Sequence, residues 1–165
     1  MANYKGHIAG GVAAGILVAI STSTIPVERL AESANLLQDW QALVGLFIVA
    51  ILFALFPDVD TNSKAQDIFY GIMLPINILL IWVGEIQASA YLGLIAMLPI
   101  IGHHRGWTHS ILAAFLVPLP ILVVPWLYHG NPIPISALYY TAATTGYLSH
   151  LLLDGRIVKK IRLKG

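Results

Sequence analysis

The 165-residue sequence contains no cysteine and few charged residues. The absence of cysteine excludes a disulfide framework, a thiolate zinc site, an iron–sulfur cluster and a cysteine nucleophile. Charged residues make up 10% and apolar residues 58% of the chain. An ordinary globular domain has about 25% charged residues, and a soluble fold of this size could not cover its surface with so few. The composition therefore predicts a single integral membrane domain over residues 1–165, with the lipid bilayer as its main partner.

Net charge is equally low, at +1. Nucleic-acid-binding proteins carry a basic patch or stripe that contacts phosphates, and no such stripe is present. We therefore expect no nucleic-acid partner.

Six apolar segments are separated by short polar stretches. They cover residues 8–25, 42–56, 68–83, 88–101, 111–128 and 135–153. The segments lack the strict alternation of barrel strands, and a helix satisfies its own backbone polar groups in lipid. Small residues in the first segment would let a neighbouring helix approach closely. These features predict an all-α, polytopic transmembrane helical bundle with about six spans.

The basic residues are distributed unevenly over the loops of this topology. With six spans, both termini and the loops at 57–67 and 102–110 share one face. Eight of the nine lysines and arginines lie on this face, and only Arg29 lies on the other. The eight are Lys5, Lys64, Arg105, Arg156, Lys159, Lys160, Arg162 and Lys164. Cytoplasmic loops carry an excess of lysine and arginine, so both termini are expected to be cytoplasmic in a cell (inner) membrane.

The first segment also fits a cleaved signal peptide, with Lys5 before it and small residues near Ala19 and Ser21. His7, at the edge of the apolar stretch, has no use in a signal peptide. We therefore expect this segment to be retained.

Side chains that can bind metal concentrate on the predicted cytoplasmic face. Five of the six histidines and three of the five aspartates lie there. These residues are His7, Asp58, Asp60, His103, His104, His109, His150 and Asp154. His129 falls on the opposite face and is predicted to be interfacial and non-catalytic.

Each part of this set also has an ordinary structural explanation. Asp58 and Asp60 could cap the helix that follows. His150 and Asp154 share one face of a helix and could simply form a hydrogen bond. The histidine-rich turn could be a solvated loop, and Arg105 a headgroup anchor. The coincidence of all four on one face favours a shared metal site at the cytoplasmic end.

Imidazoles and carboxylates without thiolate suit zinc first, or manganese or iron, in a hydrolytic site. Six to eight ligands fit two divalent metal ions, or three. Two metals can generate hydroxide and stabilise both oxygens of a displacement at phosphorus. Arg105 is a candidate clamp for a substrate phosphate. Thr108 and Ser110 could cap the fifth span or hold ligands by hydrogen bonds.

Four blocks of the sequence, taken in order, resemble the YdjM family of inner-membrane proteins, regarded as metal-dependent hydrolases. The blocks are Gly6-His7, FPDVD at 56–60, HHRGWTHS at 103–110 and GYLSHLLLD at 146–154. The family is remotely similar to the zinc-dependent phospholipase C and P1 nuclease group, which is α-helical and uses a multi-zinc cluster of histidines and aspartates.

This resemblance implies hydrolysis of a phosphomonoester or phosphodiester. It also implies a ligand set, with His103 as a possible extra ligand. The implied ligands are His7, Asp58, Asp60, His104, His109, His150 and Asp154. Asp58 or Asp60 could also act in catalysis by orienting the attacking water. The N-terminal tryptophan of the soluble zinc enzymes has no counterpart here.

The main functional prediction is a membrane-embedded, metal-dependent phosphoesterase acting on a lipid or lipid-linked phosphoester. The alternative is a divalent-metal carrier or sensor without catalysis. Carriers usually bind their ion near the bilayer midplane, whereas the candidate ligands here lie at the ends of spans. A structural membrane protein without catalysis would leave the coincidence of ligands unexplained.

Overall fold

The computed structural model describes residues 3–24, 39–60, 62–101, 107–129 and 134–155. Every regular element in these ranges is a helix, which confirms the all-α class. In chain order they are α1 (Tyr4–Thr24), α2 (Trp40–Leu55), a 3₁₀ turn (Phe56–Asp58), α3 (Lys64–Trp82), α4 (Ile86–Ile101), α5 (Ile111–Leu116), α6 (Leu119–His129) and α7 (Pro134–Leu153).

Polar side chains cap the first turns of several helices. Asp39 accepts a hydrogen bond from the Gln41 backbone at the start of α2. Ser63 caps α3 in the same way. Such caps satisfy backbone N–H groups that have no partner within the helix. They let α2 and α3 begin at defined points.

The predicted fifth segment forms two helices rather than one. Val117 and Pro118 separate α5 from α6. Proline has no backbone N–H and its ring clashes with the preceding helical turn, so the helix is interrupted although the hydropathy is continuous across it.

Helices α1, α2 and α7 pack against one another through small residues. An added Cβ at Gly11 would lie 2.8 Å from the Ile51 Cα on α2. At Gly146, an added Cβ would lie 2.2 Å from the Ala50 carbonyl oxygen. Glycine therefore permits backbone-to-backbone contact between these helices, and this contact brings the end of α7 beside the end of α2.

Three helical segments in the described ranges are long and apolar enough to cross a membrane: Tyr4–Thr22, Trp40–Asp58 and Lys64–Trp82. Ile86–Pro99 and Ile111–Leu127 are shorter apolar segments, the second of which contains α5 and most of α6. Helix α7 has 20 residues, but its threonines, its serines and His150 lower its hydropathy. The expected helical bundle is thus present in its main features, with three clear candidate spans and two shorter apolar segments among the described residues.

Candidate metal centre

Residues from four parts of the chain meet at one end of the bundle. His7 lies in the first turns of α1, and Asp58 closes the 3₁₀ turn after α2. His109 lies two residues before α5. His150 lies in the last turn of α7, and Asp154 follows one turn later. The helix packing therefore brings together ligands that are distant in sequence.

Four of these residues form a compact group that could hold a metal ion. One ligand atom from each of Asp58, His109, His150 and Asp154 lies within 4.8 Å of all the others. The Nε2 atoms of His109 and His150 lie 3.4 and 3.6 Å from Asp58 Oδ1. The same two nitrogens lie 3.9 and 3.7 Å from Asp154 Oδ2.

His7 approaches the opposite oxygens of the same two carboxylates. Its Nε2 lies 3.7 Å from Asp58 Oδ2 and 3.6 Å from Asp154 Oδ1. Its ring is stacked on His150, with centroids 3.8 Å apart and planes at 17°. Each carboxylate therefore has one oxygen towards His7 and the other towards His109 and His150.

These separations exceed those of ordinary hydrogen bonds, which run from about 2.7 to 3.2 Å for an N–H donor. They are close to the distances between neighbouring ligand atoms around one metal ion, because metal–ligand bonds of about 2.0–2.2 Å put neighbouring tetrahedral ligand atoms about 3.3–3.6 Å apart. The Nε2 atoms of His7, His109 and His150 are buried, and no hydrogen-bond partner for them occurs among the described residues. Such buried polar atoms are costly unless another group satisfies them. A bound cation would do so, and the residues present fit one.

Backbone and hydroxyl oxygens orient the two histidines of the four-residue group. His150 Nδ1 lies 2.8 Å from the Ala54 carbonyl oxygen. A carbonyl can only accept a hydrogen bond, so Nδ1 carries the proton and Nε2 keeps its lone pair for a metal. His109 Nδ1 lies 3.2 Å from the Thr108 hydroxyl. Metal-binding histidines characteristically donate their other N–H in this way.

The four sequence blocks belong to a match over nearly the whole chain. Residues 1–163 match the family described as YdjM inner membrane protein. The chain belongs to this family. No curated protein and no solved structure matches this chain. Membership assigns this YdjM protein to the inner membrane and confirms the resemblance drawn from its motifs.

Asp60, an expected ligand, lies outside the four-residue group of this YdjM protein. Its Oδ2 accepts a hydrogen bond from the Thr108 hydroxyl at 3.4 Å. Ser110 caps α5, where its side chain accepts a hydrogen bond from the Ala113 backbone N–H at 3.0 Å. The structure thus places Thr108 against both Asp60 and His109.

One side of the cluster is more open than the rest. The Asp58 side chain is 30% exposed, whereas Asp154 is 2% and His109 is 10% exposed. His7 and His150 are fully buried. Asp58 is therefore the most exposed of the five clustered residues.

Some predicted site residues lie outside the described residues. They are His103, His104 and Arg105. The basic residues from 156 onwards and Arg29 also lie outside them. His129 ends α6, and its side chain is not among those described. Its predicted non-catalytic role therefore stays a prediction.

Two contacts at the site were not predicted from the sequence. The Ala54 carbonyl had no sequence signal, because every residue carries such an oxygen. The Tyr147 hydroxyl donates a hydrogen bond to the Thr108 carbonyl. Tyr147 lies three residues before His150 and seven before Asp154, so helical spacing places it on their face. That spacing could have identified it.

Proposed function

We propose that this YdjM family member is a metal-dependent hydrolase of phosphoesters, with its site at one membrane boundary. One observation carries the proposal. Three buried imidazole nitrogens converge on the two carboxylates of Asp58 and Asp154 at distances suited to cations held between them.

The arrangement of the carboxylate oxygens supports two metal ions, with zinc as the first candidate. The four-residue group of Asp58, His109, His150 and Asp154 would hold one. His7, with the other oxygens of Asp58 and Asp154, would hold the second. Positive charge between the half-buried carboxylate of Asp58 and the buried carboxylate of Asp154 also relieves their mutual repulsion. His104 stays a proposed further ligand, as the resemblance to the family implies.

Bound divalent metal supplies activation of water near neutral pH and stabilises charge that develops on phosphate oxygens. The protein's own residues would position the substrate. Asp58 lies at the open side, where it can contact an incoming water molecule as well as hold metal. Arg105 would bind the substrate phosphate through its planar fork, which matches two oxygens better than lysine does.

The position of the cluster supports a lipid or lipid-linked phosphoester as substrate. All five clustered residues lie at or near helix ends, while large apolar side chains such as Leu17, Leu74 and Leu112 are exposed along the helices. Such an apolar exterior suits lipid. A site at the ends of these helices lies at the depth of lipid headgroups. We further propose six spans with both termini and the site on the cytoplasmic side, from the distribution of basic residues.

Hydrolysis by the purified protein in detergent tests the proposal. Release of phosphate or of a headgroup would be measured with lipid phosphates, phospholipids and nucleotides, with and without a chelator. We expect chelator-sensitive hydrolysis of a lipid substrate. Asp58→Asn should lower it by at least about 100-fold, because loss of groups that merely support ligands already costs about 10–100-fold. Asp67→Asn is the matched control, since Asp67 is exposed on α3 beside Lys64.

Arg105→Lys separates a phosphate clamp from a headgroup anchor. A clamp predicts lower turnover or weaker substrate binding with normal metal content, whereas an anchor predicts no change. Full metal occupancy without hydrolysis of any of these substrates would contradict the proposal and favour the carrier or sensor.

A further inference from the structure

Thr108 lies at the centre of a hydrogen-bonded chain that links Asp60 and Tyr147 to His109. We propose that Asp60 and Tyr147 are positioning residues, which act through Thr108 to set the orientation and the tautomer of the His109 ring. The role of this chain rests on the proposed metal centre, whereas the chain itself is defined by the contacts among these four residues.

The hydroxyl of Thr108 has one hydrogen to donate. It lies 3.4 Å from Asp60 Oδ2, a long hydrogen bond for an O–H donor, and 3.2 Å from His109 Nδ1. An ionised carboxylate can only accept, so the Thr108 hydrogen goes to Asp60. The hydroxyl oxygen then accepts the hydrogen bond from His109 Nδ1–H. This leaves the lone pair of His109 on Nε2, the atom that faces Asp58 and Asp154.

Tyr147 holds the same residue through its backbone carbonyl. Its hydroxyl donates a hydrogen bond to the Thr108 carbonyl, and its ring is fully buried against Phe56. Thr108 itself is fully buried. The backbone of Thr108 is therefore tied to α7, the helix that carries His150 and Asp154.

The next turn of the chain keeps His109 beside this anchor. The Ser110 backbone N–H donates to the Trp107 carbonyl at 3.0 Å, and the Ser110 side chain caps α5. His109 therefore lies between a residue fixed to α7 and a residue fixed to α5. Small displacements of Thr108 would therefore move the His109 ring relative to the rest of the cluster.

Asp60 as a metal ligand is the competing assignment, and asparagine at this position distinguishes the two. An asparagine carbonyl still accepts a hydrogen bond from Thr108, but it is a much poorer metal ligand than a carboxylate. A positioning role predicts that Asp60→Asn keeps nearly all bound metal, while Asp60→Ala does not. A ligand role predicts that both variants lose an ion.

Zinc titration of the purified full-length protein, with zinc as the only probe, measures these effects. Thr108→Val, Asp60→Ala and Tyr147→Phe should each weaken zinc binding by about 10–100-fold, the usual effect of removing a group that orients a ligand. Thr108→Ser should restore it. Asp60→Ala with Thr108→Val should be no worse than either alone, since both break one chain.

Tyr140→Phe is the matched control for Tyr147→Phe. Tyr140 lies on the same helix and donates its hydroxyl to the Phe115 carbonyl, away from the cluster. The Tyr140→Phe protein should bind zinc as the wild type does. Normal zinc binding by Thr108→Val, or loss of one ion in Asp60→Asn, would overturn the inference.

The ¹⁵N NMR shifts of the His109 ring in metal-free protein test the inference independently of metal and of hydrolysis. The wild type and Thr108→Ser should show the proton on Nδ1, and Thr108→Val should show a mixture of tautomers. If the wild type binds no zinc, the proposed function fails, and these shifts alone decide the inference. An identical tautomer in Thr108→Val would then refute it.

Discussion

Replacing Gly146 by alanine should damage the metal centre from a distance, through the packing of α7 on α2. The new Cβ would lie 2.2 Å from the Ala50 carbonyl oxygen and 3.0 Å from the Ala50 carbonyl carbon. Ordinary contact begins at 3.4 Å, so the two backbones must separate locally by about 1 Å. Because both atoms met belong to the backbone, no side-chain rotation can relieve the clash.

The displacement would reach His150 one helical turn later. His150 Nδ1 lies 2.8 Å from the carbonyl oxygen of Ala54, which is one turn beyond Ala50. A shift of about 1 Å stretches this hydrogen bond beyond its normal length. Overpacking costs about 1–3 kcal/mol, and a buried group left without its partner costs a further ~1–3 kcal/mol. We expect a loss of about 2–6 kcal/mol in the free energy of unfolding, together with weaker metal binding.

Thermal unfolding in detergent and zinc titration would measure the two effects. Gly71→Ala is the matched control, since nothing lies within 4 Å of an added Cβ there. In the middle of α3 it should be neutral or stabilising by up to about 1 kcal/mol. If Gly146→Ala unfolds at the wild-type temperature and binds zinc normally, the close approach of α7 and α2 does not support the site.

Three further predictions concern the second metal position, the membrane topology and the N-terminal segment. His7→Ala should reduce the zinc bound per chain, measured by titration, from about two ions to one, because the four-residue group does not include His7 and would keep its ion. Loss of both ions or of none would contradict the two-position arrangement. A reporter that is active only in the cytoplasm should be active when fused after Gly165, whereas one that is active only in the periplasm should be inactive. A periplasmic C-terminus would refute the topology. The intact mass of the purified protein should correspond to a chain that still contains His7. A mature chain beginning after about residue 20 would lack this proposed ligand and would contradict the prediction.

The positions of the helices could largely be predicted from the sequence, because each apolar run must be helical in lipid. Their starts could not. Helix α1 begins at Tyr4 rather than near residue 8, since the Asn3 side chain accepts a hydrogen bond from the Gly6 backbone at 3.1 Å. Helix α3 begins at Lys64, after its Ser63 cap, rather than near residue 68. Polar first turns belong to these helices, although hydropathy does not mark them.

The composition of the cluster could be predicted from loops that share one face, but its internal geometry could not. Nothing in the spacing of Asp58 and Asp154 indicates that their opposite oxygens face different histidines. This depends on how closely α1, α2 and α7 approach. The spacing also did not separate Asp60 from Asp58, because only the tertiary structure places Thr108 against Asp60.

Metal analysis of the purified protein tests the central claim most directly. Protein prepared without chelator, and the variants His150→Ala and His129→Ala, would be measured for bound zinc, manganese and iron per chain. The wild type and His129→Ala should carry about two divalent ions, and His150→Ala should carry markedly fewer. Metal-free wild-type protein that takes up none on titration, or equal metal in all three proteins, would contradict the assignment of the cluster as a metal centre.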